Sequence, residues 1–182
     1  MSDHHSISND LKDKIGKIKA ILLDVDGVLT NGRIVLDFKG REVKFFNVQD
    51  GLGIYLARKS GLIVGIITGR ESEVVKHRAR ELNIDYLSQG AKNKLRPLEE
   101  FKQNFNVTDD EICFVGDDLL DLPIMVRCGL PVSVKNGREE IKENSEYVTE
   151  AEGGFGAVRE TIELILKIQG KWEDIILKYK EK

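Results

Sequence analysis

The sequence predicts an α/β protein built on a doubly wound, mostly parallel sheet, and two observations carry that expectation. Apolar, β-prone runs alternate along the chain with segments of about ten residues at helical spacing. The first of those runs, Ala20 to Leu23, drives straight into Asp24-Val25-Asp26-Gly27. A continuous apolar run that ends in a turn signal reads as a buried parallel strand. Its carboxyl end is where such sheets place their chemistry.

A short helix is expected near Asn9–Gly16, after a polar N-terminal tail over residues 1–9, and the first strand near Lys19–Asp24. A strand pair follows, Arg33–Phe38 and Glu42–Asn47, around the turn signal Lys39-Gly40. Asp50 reads as the N-cap of a helix that ends near Ser60, with Gly61 as its stop. The alternation continues with strand Leu62–Thr68, helix Glu71–Leu82, strand Tyr86–Ser88 and helix Lys94–Phe105. Strand Ile112–Gly116 and helix Leu119–Arg127 come next. Short strands at Leu130–Val134 and Tyr147–Thr149 flank a helix near Gly137–Glu143. The last long helix, near Ala157–Gln169, carries Val158, Ile162, Ile165 and Ile168 on one face. No repeat, linker or low-complexity tract interrupts the chain, so 1–182 is read as one catalytic domain with a hairpin insert at about 33–47.

Composition narrows the function classes. Twenty-eight basic against 31 acidic residues leave a net charge of −3, which makes no electrostatic case for nucleic acid. No apolar run approaches the ~18 residues of a spanning helix, so no membrane segment is expected. His4 and His5 offer at most adventitious metal binding and read as part of a polar terminus, and His77 sits on a charged helix face. Cys113 and Cys128 read as reduced core thiols of a cytoplasmic protein.

Asp24 and Asp26, two apart in an extended chain, point to the same side. Two carboxylates so close repel, and a hard divalent cation is the simplest counter-charge. Downstream stand Thr68 in Ile66-Ile67-Thr68-Gly69-Arg70, Lys94 in Lys92-Asn93-Lys94, and Gly116-Asp117-Asp118-Leu119-Leu120-Asp121. Taken together and in this order, these segments resemble the motif set of the haloacid dehalogenase superfamily of phosphotransfer enzymes. The resemblance implies that superfamily's Rossmannoid sheet and a phosphatase. Asp24 would attack phosphorus as the nucleophile. Asp26 would act as acid toward the leaving alcohol and then as base toward water. The implied cofactor is magnesium, held by the Asp24 carboxylate, the Asp26 backbone carbonyl and the Asp117 carboxylate. Thr68 and Lys94 would hold the phosphoryl oxygens. Asp121 would orient Lys94, with Asp118 behind the metal site or at a helix N-terminus.

No cap domain fits between Asp26 and Thr68, nor between Thr68 and Lys94, because the expected hairpin, helices and strands fill both intervals. The hairpin itself carries Ile34, Leu36, Val43, Phe45 and Phe46, too apolar to stay bare, and is expected to pack on other protomers. An apolar hairpin in place of a cap, the run Phe46-Asn47-Val48-Gln49-Asp50-Gly51, and the tail Gly153-Gly154-Phe155-Gly156-Ala157-Val158-Arg159-Glu160 resemble the capless tetrameric sugar-acid phosphatases. That likeness implies a homotetramer built through the hairpin. It also implies a sugar acid phosphate as substrate, 3-deoxy-D-manno-octulosonate 8-phosphate (Kdo 8-phosphate), on the way to lipopolysaccharide. Substrate-binding candidates are Gly27, Gly69, Arg70, Arg78, Asn93 and Arg159, the arginines because a guanidinium pairs bidentately with a carboxylate. Arg70, directly after Thr68-Gly69, favours Kdo 8-phosphate over the nine-carbon acids (KDN or related), whose phosphatases tend to carry an acidic residue there. An alternative from another class is a phospho-accepting receiver-like module, but its lysine would follow the acidic segments, whereas Lys94 precedes Asp117.

Overall fold

The computed structural model describes residues 8–181; most of the polar tail, with His4 and His5, lies outside them. Six strands form one parallel sheet in the order β5-β4-β1-β6-β7-β8. These are β1 (Ala20–Leu23), β4 (Ile63–Ile67), β5 (Tyr86–Ser88), β6 (Ile112–Gly116), β7 (Leu130–Ser133) and β8 (Tyr147–Val148). Central β1 pairs Leu23 with Ile66 on one side and with Val115 on the other. Its four residues are all fully buried, as a strand covered on both faces requires. Order reverses at β1, so the crevice beyond its carboxyl end opens between β4 and β6. Asp24 and Thr68 lie one residue past β1 and β4, and Asp117 one past β6. The doubly wound parallel sheet expected from the alternation is the sheet observed.

The helices are α1 (Asn9–Gly16), α2 (Val48–Lys59), α3 (Glu73–Glu81), α4 (Leu95–Phe105), α5 (Leu122–Met125), α6 (Glu139–Glu143), α7 (Ala157–Ile168) and α8 (Trp172–Lys180). One sheet face is packed by Ile21, Leu23, Ile54, Val64, Val158, Ile162 and Ile165, drawing on α2 and α7. The other is packed by Leu22, Ile67, Leu98, Phe101, Phe114 and Ile124, drawing on α4 and α5. Cys113 and Cys128 are buried free thiols.

Several local expectations are corrected. The N-cap of α2 is Asn47, whose side chain accepts from Gln49 N at 2.7 Å. Asp50 is instead buried in the first turn, and its carboxylate accepts from Arg159 N at 2.8 Å, capping the N-terminus of α7. The helix expected over Leu119–Arg127 shrinks to Leu122–Met125, because Asp121 draws the preceding turn around its own carboxylate. The hairpin strands are only β2 (Val35–Leu36) and β3 (Glu42–Val43), separate from the main sheet. Asp37 closes the turn by accepting from Lys39 N and Arg41 N, which ends the ladder after two pairs. Phe38 and Phe45 are exposed on this hairpin at 92% and 67%, whereas Phe46 is half-buried against the core under the Arg78 guanidinium.

Candidate active site

The site grows from the turn after β1. Asp24 N donates to Val115 O at 3.1 Å, which keeps the chain extended one residue beyond the strand. Thr30 then ties the loop together, its hydroxyl donating to Val25 O and its oxygen accepting from Gly32 N. Gly27 takes φ +101°, and a Cβ there would stand 1.9 Å from Asp117 Oδ2, so a side chain is excluded on both counts. Gly153 closes the same loop from behind. Its Cβ would meet Gly27 O at 1.6 Å, and its N–H is taken by Asn136 Oδ1 at 2.9 Å.

Lys94, the residue before α4, is buried, and its ammonium lies 2.8 Å from Asp24 Oδ1 and 2.6 Å from Asp121 Oδ1. Asn93 beside it accepts from Leu95 N, the first residue of α4, at 3.0 Å. Burial alone would lower the Lys94 pKa, but Asp24 and Asp121 outweigh that and hold it above the ordinary lysine range. The second oxygen of Asp121 accepts from Asp117 N at 2.9 Å, so both its oxygens are engaged. Asp118 is exposed and accepts from Leu119 N.

Asp117 is different. Its Oδ1 is buried and finds no partner. One carboxylate oxygen from each of Asp24, Asp117 and Asp121 lies within 4.8 Å of the others. Burial first, then the charges of Asp24, Asp121 and Asp118, push Asp117 up to about 8. Asp24 is raised by burial and by Asp121, against the pull of Lys94. Three carboxylates, two of them buried and one half-buried, beside one lysine leave the cluster short of positive charge, and the all-oxygen donor set fits a hard divalent cation.

Thr68 is buried at the end of β4, its backbone fixed by Ser88 O and Ala91 N, and Gly69 passes against Leu120. Asp26 faces the hairpin, where its carboxylate accepts from the Lys44 ammonium and lies 3.6 Å from Arg70 Nη1. Glu42 completes this group, 2.8 Å from Arg70 Nη2 and 3.2 Å from Lys44, and it also accepts from the Ser72 hydroxyl. Burial would raise Glu42, but Ser72, Lys44 and Arg70 together hold it below the usual carboxylate range.

Asp24, Asp26, Thr68, Lys94, Asp117, Asp121, Gly27, Gly69 and Arg70 therefore converge around one crevice. Arg78 and Arg159 are placed elsewhere in the protomer. Arg78 pairs with Glu81 and covers Phe46. Arg159 pairs with Glu163 at 2.6 Å and stacks on Trp172. Neighbouring Glu160 holds Tyr147 and the backbone of Glu150 and Ala151. Lys44 and Glu42 escaped the sequence reading, although the signal was there. In Glu42-Val43-Lys44-Phe45 the charged and apolar residues alternate, and a period of two puts both charges on one face.

Residues 87–160 match the family model described as haloacid dehalogenase-like hydrolase. Over 168 residues the chain is 40% identical to the 3-deoxy-D-manno-octulosonate 8-phosphate phosphatase KdsC of Escherichia coli (strain B / BL21-DE3), covering 92% of this chain and 89% of that one. The chain belongs to the KdsC family of haloacid dehalogenase-like hydrolases. KdsC of Yersinia pestis is 38% identical over 167 residues, with the same shares covered. Among solved structures, the Moraxella catarrhalis phosphatase in complex with magnesium ion, phosphate ion and Kdo superposes with a TM-score of 0.91 at 41% identity, covering 94% of this chain and 98% of that one. Membership in the KdsC family makes the chain a phosphoric monoester hydrolase, as the motif set implied. Among the described residues no helix is long and apolar enough to cross a membrane.

Proposed function

We propose that the chain hydrolyses Kdo 8-phosphate to Kdo and phosphate through an aspartyl-phosphate on Asp24, in lipopolysaccharide synthesis. The observation that carries the reading is the buried Asp24–Lys94–Asp121 chain beside the unpartnered Asp117 oxygen, at the carboxyl end of three adjacent strands. Asp24 and Asp117 by their carboxylates and Asp26 by its backbone carbonyl would hold magnesium, which neutralises phosphoryl charge and lets an anionic nucleophile approach.

Lys94, anchored by Asp121, keeps the Asp24 carboxylate oriented and offers positive charge to the equatorial phosphoryl oxygens, with Thr68 at the carboxyl end of neighbouring β4. An Asp24 oxygen bonds to phosphorus as the bond to the sugar oxygen breaks, and Asp26 gives that oxygen its proton. Asp26 then takes a proton from water, which attacks phosphorus, releasing phosphate and restoring the Asp24 carboxylate. Arg70, at the mouth and 42% exposed in its side chain, is placed to receive the substrate's own carboxylate.

The exposed apolar face of the hairpin, with Ile34, Leu36, Phe38 and Phe45, supports a homotetramer assembled through it. The single-domain reading of the chain and a cytoplasmic setting complete the proposal, the latter in keeping with two free thiols. The test is a panel of phosphorylated sugar acids. Kdo 8-phosphate should give the highest kcat/KM with magnesium; a nine-carbon acid phosphate turning over faster would overturn the substrate assignment.

A further inference from the structure

The hairpin has two faces of different chemistry. Val43 and Phe45 point outward, while Glu42 and Lys44 turn back toward the crevice. The Lys44 side chain is only 2% exposed, far less than its place on a two-stranded ribbon would suggest. Its ammonium spans two carboxylates, Asp26 of the first catalytic turn and Glu42 of β3, two residues before it. Glu42 is fixed in turn by Ser72, the N-cap of α3, and by Arg70. Lys44 is thus held directly by two carboxylates, and through Glu42 by Ser72 and Arg70, and what it presents to the site is a positive charge against the Asp26 carboxylate.

We infer that Lys44 is a positioning residue for the acid–base step, acting through Asp26. The inference rests on the reading of Asp26 as the proton donor and acceptor. As the phosphorus–oxygen bond of the ester breaks and the Asp24 oxygen bonds to phosphorus, the Asp26 proton passes to the leaving alkoxide. Asp26 becomes an anion in that step, and a preorganised ammonium stands where the charge develops. In the second step the same contact fixes the carboxylate that takes a proton from water. Lys44 itself exchanges no proton. The base of the hairpin is part of the chemistry, while its outer face remains free for assembly.

Leaving-group dependence tests this. Single-turnover release, with enzyme in excess, reports phosphoryl transfer to Asp24 alone. Kdo 8-phosphate has an alkoxide leaving group that needs a proton; p-nitrophenyl phosphate has a phenolate that does not. Lys44→Met should slow release from Kdo 8-phosphate by at least about tenfold, a fraction of the usual ~10²–10⁴ for general acid–base catalysis, and slow p-nitrophenolate release less than about threefold. Lys44→Arg, which keeps the charge, should recover much of the lost rate on the sugar ester. Equal losses on both substrates, or none on either, overturn the role of Lys44. Should Lys44→Met fail to reach the native sizing profile and thermal transition, Lys44→Gln carries the same comparison. A wild-type protein that releases neither leaving group sinks the phosphatase reading itself, which a working wild type beside an unselective variant does not.

Discussion

Lys94 Nζ lies 2.6 Å from Asp121 Oδ1, and both side chains are 1% exposed. A lysine this deep is held in its charged form only by the carboxylates around it, and Asp121 gives one oxygen to that task while its other oxygen accepts from Asp117 N. Asp121→Asn should therefore lower stability by about 1.5–3 kcal/mol, the range for a hydrogen bond to a charged group. It should also lower kcat more than it raises KM, because Lys94 would lose its orientation toward phosphorus. Urea unfolding and steady-state kinetics read the two effects separately.

Asp24→Asn keeps the volume of the side chain and removes the nucleophile. Turnover should fall by several orders of magnitude while the circular dichroism stays native. Burial raises the Asp24 carboxyl in the metal-free protein, so neutralising it relieves an electrostatic cost, and the apo variant should melt no lower than wild type. A variant that retains more than a few per cent of activity removes Asp24 from the role assigned to it.

Asp117 links magnesium to pH. Its folded pKa, raised to about 8 by burial and its carboxylate neighbours, lies above that of an unfolded aspartate near 4. Between those values the folded metal-free chain keeps a proton that the unfolded chain has lost, so metal-free stability falls as pH rises from 4 to 8. A cation must displace that proton, and displacement becomes easier toward pH 8. The magnesium-induced rise in Tm should grow from pH 6 to pH 8 and vanish in Asp117→Asn. A shift of constant size across that range would place the cation away from Asp117.

Phe38 and Phe45 stand bare on the hairpin, whereas Phe46 is half-buried against the core. Replacing Phe38 and Phe45 by Ser should move the particle below tetramer size on a sizing column with little loss of protomer stability. Phe46→Ser should do the reverse, lowering protomer stability by about 1–3 kcal/mol through lost packing. An unchanged elution volume for the double variant would refute assembly through this face.

The parallel sheet and the catalytic strand ends were legible because buried runs and the turn residues after them are local signals. Asp24, Thr68, Lys94 and the Asp117–Asp121 segment are read from their positions at strand and helix ends, and the fold brings them together. What the chain did not reveal is what side chains do across long separations. Asp50 looks like a cap for its own helix, yet it serves one that begins more than a hundred residues later. Lys44 looks like an ordinary surface lysine until the hairpin folds back over Asp26. Nor did it reveal the partners of two arginines within the protomer, Phe46 and Glu81 for Arg78 and Glu163 and Trp172 for Arg159.

Gly27 and Gly153 meet backbone to backbone, without side chains between them. A contact of that kind cannot be tuned by swapping rotamers or trimming a methyl, so the floor of the crevice is closed to gradual change. The rim is not. Leu119, Leu120 and Phe155 stand more than half exposed around it. Divergence toward new esters within this fold should accordingly accumulate at those three positions, leaving the dephosphorylation apparatus beneath them as it is.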